Sequence, residues 1–172
     1  MALIKGRKQS ADSWKLLEHS DDASKIELPA FGDLIVPLSA WRAQRQELLA
    51  HEGGLGIWLT GSDEPGDIAS DLEHFDIVAV RFASFTDGRG YSIGRLLRER
   101  YRWLGELRAI GDVQRDQLYY LFRCGFDAYD LRDGEDVETA FAAFNDFSEA
   151  YQTGVDRSVP LFRRREAAGG HG

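Results

Sequence analysis

One cysteine stands in the whole chain of 172 residues, at position 124. A lone thiol makes no internal disulfide. By itself it cannot supply the several thiolates of an iron–sulfur cluster or a Cys-rich zinc site. Lysine is scarce as well: Lys5, Lys8, Lys15 and Lys25 are the only ones, and all precede residue 26. A Schiff base or pyridoxal-phosphate mechanism in the later part of the chain therefore has no amine to use. Positive charge is outweighed, with 21 Lys and Arg against 29 Asp and Glu and a net charge of -8. That balance argues against sequence-independent DNA binding, which needs clustered cations. No apolar run nears the roughly 20 residues of a membrane span. The Met1–Ile4 stretch is too short for a signal-peptide core, and Lys5, Arg7 and Lys8 follow it. His19, His51, His74 and His171 do not stand at a metal-ligand spacing. The expectation is a cytoplasmic protein that binds neither nucleic acid nor membrane.

What is present fits a folded domain. Hydrophobic residues make up 43% and charged residues 29%, a globular composition. The length suits one domain with an adequate core. We expect a flexible N-terminal arm or edge element over 1–25, a single α/β domain over 26–156, and a basic then Gly-rich tail over 157–172.

The pattern along the chain alternates strands and helices. Ile26–Val36 reads as one or two short strands, broken by Pro29 and Gly32. Ser39 suits a helix N-cap, with Gly53 and Gly54 ending that helix. Strands follow at Leu55–Thr60, Asp76–Ser84, Glu106–Ile110 and Phe126–Leu131. Between them lie a short helix from Pro65 to about His74, one capped by Ser92 and running to about Leu104, and one from Asp112 or Val113 to Gly125. A last helix spans about Glu135–Thr153. The 3.6-residue period puts Ile93, Leu96, Leu97 and Leu104 on one face, and likewise Leu118, Leu121 and Phe122, and Val137, Ala140, Phe141, Phe144 and Tyr151. Such alternation predicts βαβ units in a mainly parallel sheet of four to six strands. Its order is either flavodoxin-like or that of a half-barrel.

Ligands in parallel α/β folds bind at the carboxyl ends of the strands. The loop Phe85–Ser92 is the most informative there. Gly88 and Gly90 would allow close approach of backbone to a ligand, and the helix N-terminus at Ser92 would favour an anion. A tight turn relieved by glycine, with Arg89 in solvent, accounts for the same residues. The spacing matches neither the dinucleotide fingerprint nor a Walker A loop. Arg89 and Arg115 could grip an oxyanion by planar, bidentate contacts. Asp87 or Asp112 would orient them or act as a base. A structural ion-pair network would use the same groups. Arg81 interrupts an apolar strand, so it lies at the sheet's rim or pairs with a carboxylate. Arg95, Arg98 and Arg102 read as a solvated helix stripe. Cys124 reads as a packed helix-end residue, at the dipole end that disfavours a thiolate. Trp14, Trp41 and Trp103 suit either core or an interface.

Two runs carry a resemblance. Phe85-Thr86-Asp87-Gly88-Arg89-Gly90-Tyr91-Ser92 and Gly105-Glu106-Leu107-Arg108-Ala109-Ile110-Gly111-Asp112-Val113, with Arg115-Asp116-Gln117 and Arg123-Cys124-Gly125-Phe126-Asp127 after them, resemble a bacterial domain-of-unknown-function family, number nine hundred and thirty-four. The similarity covers about Leu55 to Tyr151. Members carry the label of oxidoreductases linked to sulfite reduction, from genes lying beside sulfite reductase. The resemblance thus implies a role in sulfur assimilation, with sulfite reductase as a partner. It supplies no catalytic residues. The cofactor stays unknown: direct redox chemistry would need a flavin or a nicotinamide at a site without a recognised fingerprint. Two other readings stand beside this one. They are a non-catalytic interaction protein, pairing with a second copy or with sulfite reductase, and an α/β enzyme acting on a phosphorylated small molecule.

Overall fold

The computed structural model describes residues 2–6, 8–20, 22, 26–84, 86–137 and 140. Among these, eight strands form one sheet: β1 (Ala2–Lys5), β2 (Lys8–Ser10), β3 (Lys15–Leu16), β4 (Leu34–Pro37), β5 (Leu55–Thr60), β6 (Ile77–Phe82), β7 (Glu106–Gly111) and β8 (Ala128–Leu131). Their spatial order is β2-β1-β8-β7-β6-β5-β4-β3. From β3 to β8 the strands are parallel and follow chain order, while β1 is antiparallel to both β2 and β8. The order is therefore sequential, as in a half-barrel, and not flavodoxin-like. The sheet also has more strands than the four to six expected. The extra ones come from the N-terminal segment, which is not an arm: Ile4 is fully buried and β1 sits between two other strands. These strands escape the sequence pattern because they are only two to four residues long and carry lysine. Polar residues on a short edge strand are a common guard against edge pairing.

Geometry forces the sheet to curl. Flat, eight strands would hold their edges about 34 Å apart, at about 4.8 Å per spacing. Yet the edge strands β2 and β3 are joined by residues 11–14 alone, which reach at most about 18 Å. The sheet thus has a convex and a concave face.

Sequential order with crossovers of the usual hand puts all connecting helices on one face. These helices are α1 (Leu38–Ala43), α2 (Arg45–Leu49), α3 (Arg89–Glu99) and α4 (Leu118–Arg123), with 3-10 turns at 65–68, 72–74 and 115–117. Their apolar residues Trp41, Leu48, Ile93, Leu97, Leu118 and Leu121 pack with Val36, Ile57, Leu59, Val78, Val80, Leu107, Ala109 and Tyr129 of the strands. The alternate strand residues Ile35, Trp58, Ile77, Ala79 and Ile110 face the concave side and pack with Trp14 and Leu16. Burial on both faces explains the near-continuous apolar strands.

Two helix starts differ from expectation. Ser92 lies inside α3, whose cap is Gly88, because the buried stripe of that helix is Gly90, Ile93, Gly94 and Leu97. The small residues in this stripe give no hydrophobic signal. Ser39 lies inside α1, after Pro37 at the cap, and its hydroxyl meets His19 Nδ1 at 3.1 Å. Helix α3 also stops earlier than Leu104, which is 93% exposed, because Trp103 turns back into the core. Arg98 is not part of a solvated stripe. It donates to the carbonyls of Gly125, Trp103 and Gly105 and to the Asp127 carboxylate, at 2.6–2.9 Å. Arg95 does pair along the surface, with Glu99. Arg102 is outside the helix, at φ 56. Trp41 and Trp103 are core residues, and Trp14 packs on the concave cluster. Val137 and Ala140 pack on the main core, as their spacing predicts. The remainder of the expected last helix and the 157–172 tail lie outside the described residues.

Candidate functional site

Residues 11–20 form a strap built around β3: 11–14 join β2 to the edge strand β3, and 17–20 run on from β3 at the carboxyl ends of the strands. Asp12 accepts from the buried Arg108 of β7 at 2.8 Å, and Arg108 also donates to Glu106 at 2.7 Å. Glu106 in turn meets Lys5 at 2.6 Å. Further along, Leu17 donates its N–H to the Ile35 carbonyl at 2.9 Å, and its own carbonyl accepts from Trp58 Nε1 at 2.9 Å. These contacts fix the strap over the sheet without involving its charged tip.

That tip sits at the carboxyl ends of the strands. The alternation of β6 aims Ile77, Ala79 and Arg81 inward. Register places Arg81 beside Thr60 and Ala79 beside Trp58. The Arg81 guanidinium stacks on the Trp58 ring, 4.2 Å from its centroid. Its two terminal nitrogens donate to Glu18 of the strap at 2.7 and 2.8 Å. Its Nε is buried and has no hydrogen-bond partner. The Arg81 hydrogen bond holds the Glu18 carboxyl below the usual carboxylate range, against an opposing effect of burial. Arg81 therefore pairs with a carboxylate, one of its two sequence-based alternatives.

Two clefts meet at Arg81. One, of about 440 Å³, is lined by His19, Pro37, Ser39, Arg42, Trp58, Thr60 and Asp63 as well as Arg81. The other, of about 390 Å³, is lined by Leu16, Glu18, Ile110, Gly111, Asp112 and Asp130 as well as Arg81. Asp63 is occupied structurally, accepting from the Thr60 N–H and hydroxyl at 2.7 and 2.8 Å. Arg42 is held by Asp67 at 2.6 Å. Burial pushes the Asp130 carboxyl up, with Arg108 opposing.

The residues singled out from sequence are distributed differently. Arg89 Nε and Nη2 donate to the two oxygens of Asp87, each at 2.9 Å, beside Ser62. That contact lowers the Asp87 carboxyl below its usual range and raises the Arg89 guanidinium. Asp112 meets Arg132 and Gln114 at 3.3 Å and is the member of the set that lines a cleft with Arg81. Arg115 is half-exposed, 3.4 Å from Asp116. Ser92 is exposed on α3. A Cβ at Gly90 would meet the Phe82 ring at 2.7 Å, so that glycine allows the helix to pack on β6; Gly88 has open space around it. Glu18, His19 and Trp58 are the site residues that sequence reasoning missed. Arg81 inside an apolar strand was the available signal. Nothing local marks Glu18, which is far away in the chain.

Among the described residues, no group of His, Cys, Asp or Glu could hold a metal ion, and no helix is long and apolar enough to cross a membrane. Cys124 is buried at the end of α4, and burial pushes its thiol up to about 11.

No curated protein and no solved structure matches this chain. A family model does match, over residues 56–162, and its description is a bacterial protein of unknown function (DUF934). That segment is well over half of the chain and includes β6 with Arg81, β7, β8 and almost all of β5. The chain therefore belongs to this family of bacterial proteins of unknown function.

Proposed function

We propose that the chain is an oxyanion-binding accessory factor of assimilatory sulfite reduction, serving sulfite reductase. The observation that carries the binding part is Arg81. It is a guanidinium flattened on Trp58, at the strand ends where two clefts meet. A planar fork of this kind matches the paired oxygens of sulfite or sulfate. Stacking on an aromatic ring pre-orients it, and its two terminal nitrogens, which donate to Glu18 in the free protein, are the ones an anion would take. Ser39 and Thr60 bring hydroxyl groups, and His19 a ring nitrogen, to the walls of the larger cleft. The sulfite part rests on the label attached to the family. In this reading Arg81 binds the anion, and the two loops that carry Arg89 and Arg115 are secondary.

Calorimetric titration with sulfite, sulfate, phosphate and adenosine 5′-phosphosulfate tests the reading. The expected result is heat with a sulfur oxyanion that disappears in Arg81→Gln. Absence of binding to all four by a folded protein would remove it. Co-purification with sulfite reductase tests the partner. A direct redox role would need a carrier, and titration of the purified protein with flavin and with NADPH reads that separately.

A further inference from the structure

The Glu18–Arg81 pair has the form of an occupied ligand position. Both terminal nitrogens of Arg81 are given to the two oxygens of one carboxylate, at 2.7 and 2.8 Å. That is the geometry a two-oxygen anionic ligand would adopt. The carboxylate comes from the strap and not from the sheet, and its side chain is 66% exposed. The bidentate geometry favours the pair, but its carboxylate half faces solvent, where screening and hydration compete with it. The strap does not depend on it. Trp14 and Leu16 pack on the concave cluster, Leu17 is bonded by both its N–H and its carbonyl, and His19 meets Ser39. Glu18 can thus rotate into solvent while its backbone stays in place.

Taking these contacts together, and resting on the oxyanion reading of Arg81, we infer that Glu18 is a built-in competitor for the ligand. It fills the arginine fork in the free protein. The incoming ligand carries a carboxylate or a comparable two-oxygen anionic group, displaces the Glu18 side chain and takes its two hydrogen bonds. The two clefts flanking Arg81 then offer room for the body of the ligand. Glu18 sets selectivity, because a ligand without two suitably spaced anionic oxygens cannot match the interaction it must replace. Removing the competitor removes that cost and raises the affinity of every such anion.

The experiment is calorimetric titration of the full chain and its Glu18→Gln variant with three probes: sulfite, sulfate and succinate. Circular dichroism and hydrogen exchange of residues 11–20 accompany it. Glu18→Gln should bind at least one probe about tenfold more tightly than the unaltered chain, with strap exchange nearly unchanged. Arg81→Lys, which keeps the charge and loses the fork, should abolish the gain. Preference for succinate over sulfite, or the reverse, tells a carboxylate ligand from a sulfur oxyanion; either order with the gain present supports the competitor. Equal binding by both chains, sensitive to Arg81→Lys, would keep the oxyanion site and overturn the competitor. A gain that survives Arg81→Lys, or no binding by either folded chain, would overturn both. Loosening of the strap in Glu18→Gln without any gain would reduce the pair to an anchor and overturn the inference.

Discussion

Replacing Gly90 by alanine separates a packing role from a ligand-approach role. The added Cβ would stand 2.7 Å from Cε1 and Cζ of Phe82 and 3.2 Å from a methyl of Val80. Phe82 is only 1% exposed, and its ring already packs on Tyr91 and Phe126 at centroid distances of 5.2 and 6.0 Å. It has nowhere to retreat, so α3 must shift away from β6. Overpacking of this kind costs about 1–3 kcal/mol. Alanine recovers at most about 1 kcal/mol through helix propensity, less at the second residue of the helix. The net destabilisation is about 1–2 kcal/mol, or a fall in Tm of about 3–6 °C for a chain of this size. Gly88→Ala is the control: its Cβ meets nothing within 4 Å. It should change stability by less than about 0.5 kcal/mol, since lost cap preference and lost chain entropy oppose each other. Urea unfolding followed by tryptophan fluorescence reads both variants. A Gly90→Ala protein as stable as the unaltered chain would refute the packing argument. If that stable variant also lost anion binding, Gly90 would instead be where a ligand meets the backbone.

Arg98→Ala should cost about 2–3 kcal/mol, because it takes a donor from three carbonyls and from one oxygen of the Asp127 carboxylate. Arg95→Ala, which breaks only an exposed surface pair, should cost less than about 0.5 kcal/mol; similar values for the two would restore the solvated stripe. The Asp71 carboxyl is held below its usual range, chiefly by the Arg45 hydrogen bond and also by Trp41. Its stabilising effect is complete above the unfolded value of about 3.9 and is lost as pH falls through the lowered folded value. Asp71→Asn should therefore flatten the acid limb of stability against pH, and an unchanged limb would count against it. Cys124 should resist iodoacetamide at pH 8 in the folded state and react on unfolding, since burial holds the thiol at about 11. Rapid native labelling, read by mass spectrometry, would contradict its packing.

Much of the architecture is legible in the linear sequence because it depends on local pattern. The apolar runs at Leu55–Thr60, Ile77–Phe82 and Glu106–Gly111 are strands. Their alternation with helical segments fixes a mainly parallel α/β sheet. The distinctive runs from Phe85 to Asp127 give the family, which the match over residues 56–162 bears out. Cys124 is buried, as expected of a packed helix-end residue.

Tertiary structure decided what depends on partners distant in the chain. Strands β1 to β3 are too short and polar to announce themselves, and become strands only because β8 and β4 offer edges to them. Sequential order was one of two options until pairing selected it. The start of α3 follows from Gly90 and Gly94 lying against Phe82 and Phe126, contacts that leave no hydrophobic period in the sequence. The shortages of cysteine and lysine turn the sequence reading toward arginine. Which arginine meets which partner is a question of place. Arg89 and Arg115 stand near glycines and helix starts in the sequence, whereas Arg81 joins Trp58 through the pairing of β5 with β6, and Glu18 only when the segment after β3 comes over the strand ends. A side chain reports its own preferences in sequence; its company comes from the fold.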